Sequence, residues 1–312
     1  MSKQILVLGM HRSGTSMVSR ILNLMGCYYA SEDQTVLPAK DNPKGFWERK
    51  DVMDLNNKIL DDYKSSWDNP YLLKNVEIDK SKYLNQVKNI IYKLEPHHPW
   101  FIKDPRLCLT YNCWENVLEN NINILVLRNP LEVSISLYKR NKINYTSGLA
   151  LWDFYTDQLV KKLEKKKTVL CFYDHFLNDP YDASITLFNS LKKRKIKKLN
   201  KPLREEVENF IDRKLYRSKF NLNDKLFDKE ISKFYLEKYN RLKLLNSNFS
   251  IISQTFINIE QQQNTIQSLN QTLTNKDQEI HNLNSSLTQR TEETEQQQNT
   301  IQSLNQTLTN KD

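Results

Sequence analysis

Cysteine is sparse: Cys27, Cys108, Cys113 and Cys171 are the four in 312 residues. Their irregular spacing and apolar contexts exclude a disulfide framework and a zinc pattern. His97-His98 precede Cys108 and Cys113, but the spacing does not match a ligand set, and no metal is expected. No apolar run approaches the ~20 residues that span a bilayer, so no membrane span is expected. Met1-Ser2-Lys3-Gln4 leads straight into an apolar stretch, which argues against a signal peptide and for a cytoplasmic setting. Residues 260–312 contain no Trp, Tyr, Phe, Gly or Pro and are dominated by Gln, Asn, Thr and Ser. Such a stretch cannot build a packed core of its own.

What is present divides the chain in two. The whole sequence carries a net charge of +9, and residues 260–312 hold 3 basic and 7 acidic residues, a net of −4, leaving +13 for residues 1–259. A basic globular domain over 1–250 and a polar tail over 251–312 are therefore expected. Positive charge of this size attracts anionic ligands or polymers. Part of it lies in two dense runs, Lys161-Lys162 with Lys165-Lys166-Lys167, and Lys192-Lys193-Arg194-Lys195 with Lys197-Lys198. No helix-turn-helix, zinc set or aromatic RNA-binding motif accompanies them, so no nucleic-acid partner is expected.

Strand-like runs fall at Ile5–Leu8, Trp100–Ile102, Ile122–Leu127 and Thr168–Phe172. Between and after them, helical periodicity is read over Val52–Tyr63, Tyr83–Leu94, Cys113–Glu119, Leu131–Arg140 and Ala150–Lys165. Residues 203–245 read as edge helices with Phe210, Ile211, Leu215, Phe234, Leu236, Tyr239 and Leu242 as buried candidates. Alternation of this kind predicts an α/β fold with a mostly parallel sheet flanked by helices.

The first strand ends in Gly9-Met10-His11-Arg12-Ser13-Gly14-Thr15-Ser16, followed by an amphipathic segment, Met17–Met25. Strand, tight polar loop and helix make an anion cradle, because first-turn N–H groups and the helix dipole both favour negative charge. The two glycines match the Walker spacing, but Thr15 stands where the lysine belongs, and the cation is Arg12. A nucleoside triphosphate is thus disfavoured against another phosphate-bearing ligand. Ser13, Gly14, Thr15 and Ser16 would supply backbone and hydroxyl donors. A helix start that binds nothing is the rival reading.

A second strand–loop–helix follows at Ile122–Leu127, Arg128-Asn129-Pro130 and Leu131–Arg140. Asn129 can cap the helix and Pro130 suits its first turn. Arg128 then sits at the carboxyl end of a strand, where open α/β sheets bind ligands. Ser136 follows two turns later, and the pair can clamp a second phosphate.

These segments resemble the PAPS-dependent sulfotransferases, in the branch whose loop reads G-M-H-R-S-G-T-S. Asp41-Asn42-Pro43-Lys44-Gly45-Phe46-Trp47-Glu48 is similar to that family's D-N-P-x-G-[FYW]-x-E segment. Ile102-Lys103-Asp104-Pro105-Arg106-Leu107 resembles its K-D-P-R segment, and Phe172-Tyr173-Asp174 through Asp179-Pro180 its Y-[DE]-x-x-x-x-[DN]-P element. The likeness spans about residues 3 to 190. It implies that the first loop holds the 5′-phosphosulfate of 3′-phosphoadenosine 5′-phosphosulfate (PAPS). It further implies that Arg128 and Ser136 hold the 3′-phosphate and that Tyr173 lies against adenine. A basic loop near the domain's end, with Lys192–Lys198 as the candidate here, would help close over the nucleotide.

Sulfuryl transfer needs charge stabilisation on the leaving phosphate, for which Arg12 is the candidate, and no metal is required. A general base must take the proton of the acceptor hydroxyl. Glu48 is first in order because its aromatic neighbours would raise its pKa. Asp104 is second, although Lys103 and Arg106 would lower its pKa. His11, within the loop, is third and Glu32 fourth. The expected acceptor is a hydroxyl-bearing molecule, a saccharide foremost. The rivals are a divergent P-loop nucleotide-binding protein or kinase, separable by metal dependence, and a non-catalytic domain that presents the tail.

The tail repeats itself. Residues 260–277 recur verbatim at 295–312, an offset of 35 residues that preserves heptad phase. Ile259, Ile266, Leu273, Ile280, Leu287, Ile301 and Leu308 fall on one stripe, while its partner stripe includes Lys276, Arg290 and Lys311. The expectation is a weak coiled coil giving self-association, or a partly disordered segment.

Overall fold

The computed structural model describes residues 3–39, 42–118, 120–212, 216, 218–220 and 226–244, with isolated helical positions between 279 and 297. The chain divides into two compact units, residues 1–253 and 254–312. The heptad tail lies outside the described residues apart from those isolated positions, and so does Leu215.

Four strands build the sheet: β1 (Gln4–Leu8), β2 (Phe101–Lys103), β3 (Asn121–Leu127) and β4 (Thr168–Phe172). All pair in parallel, in the order β2-β1-β3-β4. Strands covered on both faces read as unbroken apolar runs, which is why their sequence signal was strong. Every residue of β1 and β3 is buried. The polar residues of β3 are tied to their neighbours: Asn123 Nδ2 donates to Tyr111 Oη at 2.9 Å, and Asn121 Nδ2 to Asn123 Oδ1 at 2.8 Å, while Asn121 Oδ1 has no partner among the described residues.

The α-helices among the described residues are α1 (Thr15–Leu24), α2 (Lys50–Asp62), α3 (Leu84–Leu94), α4 (Leu107–Glu115), α5 (Pro130–Asn141), α6 (Tyr145–Val160), α7 (Tyr173–Asn178), α8 (Pro180–Lys193), α9 (Arg204–Phe210) and α10 (Lys229–Leu244). One face of α1, with Val18, Ile21 and Leu22, packs into a cluster with Ile5, Val7, Ile124 and Val126. As anticipated, Asn129 caps α5, accepting from Leu131 N at 3.0 Å, with Pro130 in the first turn.

Some boundaries differ from expectation. The helix read at Cys113–Glu119 begins instead at Leu107, and the one read from Ala150 begins at Tyr145, capped by Asn144, which accepts from Ser147 N at 2.7 Å. In α10, Tyr239 and Leu242 are buried as expected, but Phe234 is 37% exposed. Lys238 is buried in its place, donating to Asp153 and, at 2.8 Å, to Asp157 of α6.

The strand order places a topological switch at the carboxyl ends of β1 and β3, where chain connections diverge to opposite sides. There Gly9 has φ +149°, and a Cβ on it would lie 2.5 Å from the Val126 carbonyl oxygen. Only glycine lets the loop leave β1 this close to β3. Gly9→Ala should therefore destabilise the domain by about 1–3 kcal/mol in urea unfolding. A parent-like midpoint would mean that β3 yields at no cost.

Candidate active site

A cavity of about 200 Å³ opens at this switch point. Its wall brings together His11, Arg12, Gly14, Thr15, Ser16, Glu48, Arg128, Ser136 and Tyr173, from segments distant in sequence. Three expected candidates do not line it, Ser13, Asp104 and Glu32. Ser13 is 1% exposed beneath the loop. Glu32 is exposed.

The loop is held in an unusual shape. Arg12 has φ 70° and Gly14 has φ 94°. A left-handed arginine costs roughly 1–2 kcal/mol and must be compensated by its surroundings. Arg12 Nε donates to Ser136 Oγ at 2.9 Å, and Arg128 Nη1 donates to the Arg12 carbonyl at 3.1 Å. A Cβ on Gly14 would lie 2.3 Å from Tyr173 Cδ2, so the tyrosine ring rests on the glycine itself. Gly14 caps α1 without a side-chain hydrogen bond, so the first-turn N–H groups of the helix have no capping side chain.

The opposite wall is residues 42–48. Asn42 Nδ2 donates to Gly45 O at 2.7 Å and to Ser16 Oγ at 3.3 Å, and Ser16 Oγ donates to Phe46 O at 3.2 Å. The Ser16 hydroxyl, expected as an anion donor, is thus committed to stitching α1 to this segment. Trp47 has φ 59°, which turns the chain so that Glu48 is 7% exposed beside the loop.

Sequence reasoning treated Lys103 only as a neighbour of Asp104. It closes β2, paired in register with Val7 of β1. Its Nζ donates to Glu48 Oε1 at 2.5 Å, Phe46 O at 3.0 Å and Ser16 Oγ at 3.2 Å. The cation missing from the loop is therefore supplied from the adjacent strand. The signal was available: a lysine ending a parallel strand sits where such sheets bind ligands.

Burial pushes the Glu48 carboxyl above the ordinary carboxylate range; Lys103 opposes that rise and Asp104 adds to it. His11 moves the other way. Burial first, then Arg106, Lys103, Arg140 and Arg12, holds its imidazole well below the usual value, so it is neutral near pH 7. Its ring packs 4.5 Å from that of Trp67, and its Nε2 is buried without a hydrogen-bond partner among the described residues.

Arg128 is pinned from several sides. Nε donates to Glu132 Oε2 at 3.1 Å, and the guanidinium lies 4.5 Å from the Tyr173 ring centroid and 5.4 Å from that of Tyr216. Tyr216 in turn donates to Glu132. More of the wall comes from residues the sequence did not assign to the site: Phe210 and Ile211, expected there only as buried candidates, and Asp212 and Ser218, with Lys44 bonded to the Phe210 carbonyl. None of Lys192–Lys198 lines the cavity, which corrects the nucleotide-closing role considered for that run.

Asp104 is also corrected as a base. It is 0% exposed. Arg106 N and Nη1 each donate to its Oδ1 at 3.0 Å, and Asn56 Nδ2 to its Oδ2 at 2.9 Å. Asn56 is fixed by Thr110 Oγ1 at 2.7 Å and Trp114 Nε1 at 2.9 Å. This is a structural knot joining α2, α4 and the turn after β2. Asp104→Ala should cost about 3–5 kcal/mol of stability by leaving Arg106 near a vacated carboxylate site. Chemical denaturation that returns the parent midpoint, together with lost turnover, would restore Asp104 as a catalytic candidate.

A family model described as a sulfotransferase domain matches residues 2–191. No curated protein matches the chain in sequence. Among solved structures, the chain is similar to the sulfotransferase STF9 from Mycobacterium avium, at 17% identity and a TM-score of 0.48 over 76% of each chain. It is also similar to the sulfotransferase domain of the Synechococcus PCC 7002 olefin synthase, at 15% identity and a TM-score of 0.44 over 77% of this chain and 95% of that one. A third is the sulfotransferase from Alicyclobacillus acidocaldarius, at 12% identity and a TM-score of 0.44 over 79% of this chain and 96% of that one. The family match covers more than half of the residues, and the chain belongs to the sulfotransferase domain family.

Proposed function

We propose that the protein transfers a sulfuryl group from PAPS to the hydroxyl of an acceptor, with a saccharide as the favoured class. The observation that carries this reading is the gathering of Arg12, Lys103, Arg128, Ser136 and the first turn of α1 on a single cavity. Several cationic side chains gathered on one cavity suit a ligand that carries more than one phosphate group. The donor set fits the nucleotide: the first turn of α1, Arg12 and Lys103 would hold the phosphosulfate, Arg128 and Ser136 the 3′-phosphate, and Tyr173 the adenine. Bound there, PAPS supplies the activated sulfuryl group.

The chain's own residues then have distinct tasks. Glu48, raised by burial, is the group poised to accept the acceptor's hydroxyl proton. Arg12 and Lys103 place positive charge beside the loop, where negative charge collects. Lys103 also orients Glu48 through its 2.5 Å contact. A neutral His11 can accept or donate a hydrogen bond but is a weaker base than its ordinary form. A triphosphate-using enzyme is the rival, since Lys103 brings a lysine to the loop from outside it; magnesium dependence separates the two.

Calorimetry without magnesium should show 3′-phosphoadenosine 5′-phosphate binding clearly better than AMP or ATP. Arg128→Ala should weaken that binding by about 1.5–3 kcal/mol. Equal affinity for AMP would remove the 3′-phosphate assignment.

The base assignment has a pH signature. A base works ionised, so kcat/KM should fall as pH drops through the Glu48 pKa, which lies above the ordinary carboxylate value. Glu48→Gln should lose roughly 10²–10⁴-fold in turnover and lose that acid limb, while still binding nucleotide. A variant that keeps both rate and limb would transfer the role to His11.

We further infer that residues 259–312 serve self-association and are separable from the chemistry, on the strength of the phase-preserving repeat. A chain ending at Asn258 should stay folded and bind nucleotide as before. Sedimentation should show the full chain alone forming weak oligomers; a monomeric full chain at high concentration would leave the tail as a spacer.

A further inference from the structure

The anion loop begins at Gly9, and its first N–H is held by sulfur. Along a strand, the N–H groups of alternate residues point to alternate neighbours. Ile5 addresses β2, since its N donates to Trp100 O at 3.3 Å. By the same alternation the N–H groups of Val7 and Gly9 also point to the β2 side. Strand β2, however, ends at Lys103. The Asp104 carbonyl, which would come next in the ladder, accepts from Leu107 N at 3.0 Å and so serves the turn into α4. Gly9 N donates instead to Cys108 Sγ at 3.2 Å. Cys108 is the second residue of α4 and is 0% exposed, and Gly9 is buried as well.

Three elements therefore close on the residue where the loop leaves the sheet. Measured from the place a Cβ on Gly9 would take, Val126 O of β3 is 2.5 Å away and Thr15 Cγ2 of α1 is 3.0 Å away. Helix α4 supplies the third contact through Cys108. The cysteine is itself fixed, because Cys108 N donates to Pro105 O at 3.1 Å and the turn before it is pinned where Arg106 N donates to Asp104 Oδ1 at 3.0 Å. A thiol suits this place. Its sulfur is a weak acceptor and its S–H a weak donor, so it satisfies a buried N–H while losing little for its own proton. Burial pushes the Cys108 thiol up to about 12, against a smaller lowering by the Gly9 bond, so it stays neutral and unreactive near pH 7. Among the described residues, the sulfurs of Cys27, Cys113 and Cys171 receive no such bond.

We propose that Cys108 is a positioning residue for the anion loop: by holding the Gly9 N–H, its sulfur sets the direction in which the chain leaves β1 toward Arg12 and the first turn of α1. Cys108 does not line the cavity, so it acts through the loop and not on the ligand. The role rests on the reading that this loop holds the phosphosulfate. It also gives the buried knot around Asp104 a consequence beyond stability, since that knot fixes the turn that carries the sulfur. A loop whose first N–H is tied needs less ordering when an anion arrives, which favours binding. Untied, that N–H is a buried donor without a partner, and the chain shifts to find one.

The test separates the hydrogen bond from packing with variants of the full chain. Calorimetry with 3′-phosphoadenosine 5′-phosphate, run well below the melting temperature, should show Cys108→Ala binding roughly three- to tenfold more weakly than the parent, part of the penalty for an orphaned buried donor. Cys108→Ser keeps an acceptor and should bind within about twofold of the parent, although its buried hydroxyl lowers the melting temperature. Cys108→Val fills the volume without an acceptor; it should follow the alanine variant and serves if that one does not fold. Hydrogen exchange without nucleotide gives a second measure: the Gly9 amide should exchange at least about tenfold faster in the alanine or valine variant and stay protected in the serine variant. Parent-like affinity in the alanine and valine variants, or an equal loss in the serine variant, would reduce Cys108 to a packing residue and overturn the proposal. A parent that does not bind the nucleotide would defeat the functional reading instead. Exchange at Gly9 would then decide alone, and unchanged protection without the sulfur would overturn the positioning role.

Discussion

One buried ammonium ties the site together. Lys103 Nζ has three acceptors from three places: the carboxylate of Glu48, the carbonyl of Phe46 and the hydroxyl of Ser16. With Lys103 at 3% exposure, removing either charge of the pair would leave the other stranded, at a cost of about 3–5 kcal/mol. The strand β2, the start of α1 and the segment 42–48 are thereby fixed as one unit. That unit exists because β2 pairs with β1 in the register that sets Lys103 beside Val7, one step before the loop begins. Sheet register, not loop sequence, decides where this cation stands.

The second anion region follows a different rule. Arg128 is held between two tyrosine rings, bonded to Glu132 and to the backbone of the first loop. Glu132 is 7% exposed and would cancel much of the arginine's long-range attraction. What the arrangement gains is position. A guanidinium already locked in place loses little side-chain entropy when it meets an anion. The same contacts make the two loops interdependent, since the carbonyl that Arg128 grips belongs to Arg12, the residue with left-handed backbone.

The sequence made much of this legible, for identifiable reasons. Parallel strands buried on both faces leave unbroken apolar runs, so all four strands stood out. The loop between Gly9 and Gly14 and the Asn129-Pro130 cap carry local chemistry that needs no tertiary context. The start of α4 was misread because Leu107, Cys108, Leu109, Tyr111, Cys113 and Trp114 are all buried. A helix covered all round has no amphipathic period to reveal it. Lys103 was undervalued because its partners lie at Ser16, Phe46 and Glu48, a convergence that no spacing encodes. Phe210–Asp212 and Ser218 were missed for the same reason, as the bond from Lys44 to the Phe210 carbonyl joins segments far apart in the chain.

Backbone strain points to the same place from an independent direction. Among the described residues, two of the six non-glycine positions with positive φ belong to segments that line the cavity: Arg12 lines it, and Trp47 stands between Phe46 and Glu48, which do. Neither conformation is favoured by its residue type, so each persists only because neighbours over-determine it. For Arg12 those neighbours are Ser136 and Arg128; for Trp47 they are the Lys44 carbonyl, which accepts from the indole Nε1 at 3.1 Å, and the Arg20 guanidinium, 5.1 Å from the ring centroid. Relaxing Trp47 to ordinary backbone would swing Glu48 off Lys103, and relaxing Arg12 would release both Ser136 and the carbonyl that Arg128 holds. The cost of the two strained residues is therefore set against a geometry in which Glu48 faces one cavity together with Arg12, Lys103 and Arg128, an arrangement that unstrained backbone at these two positions would not hold.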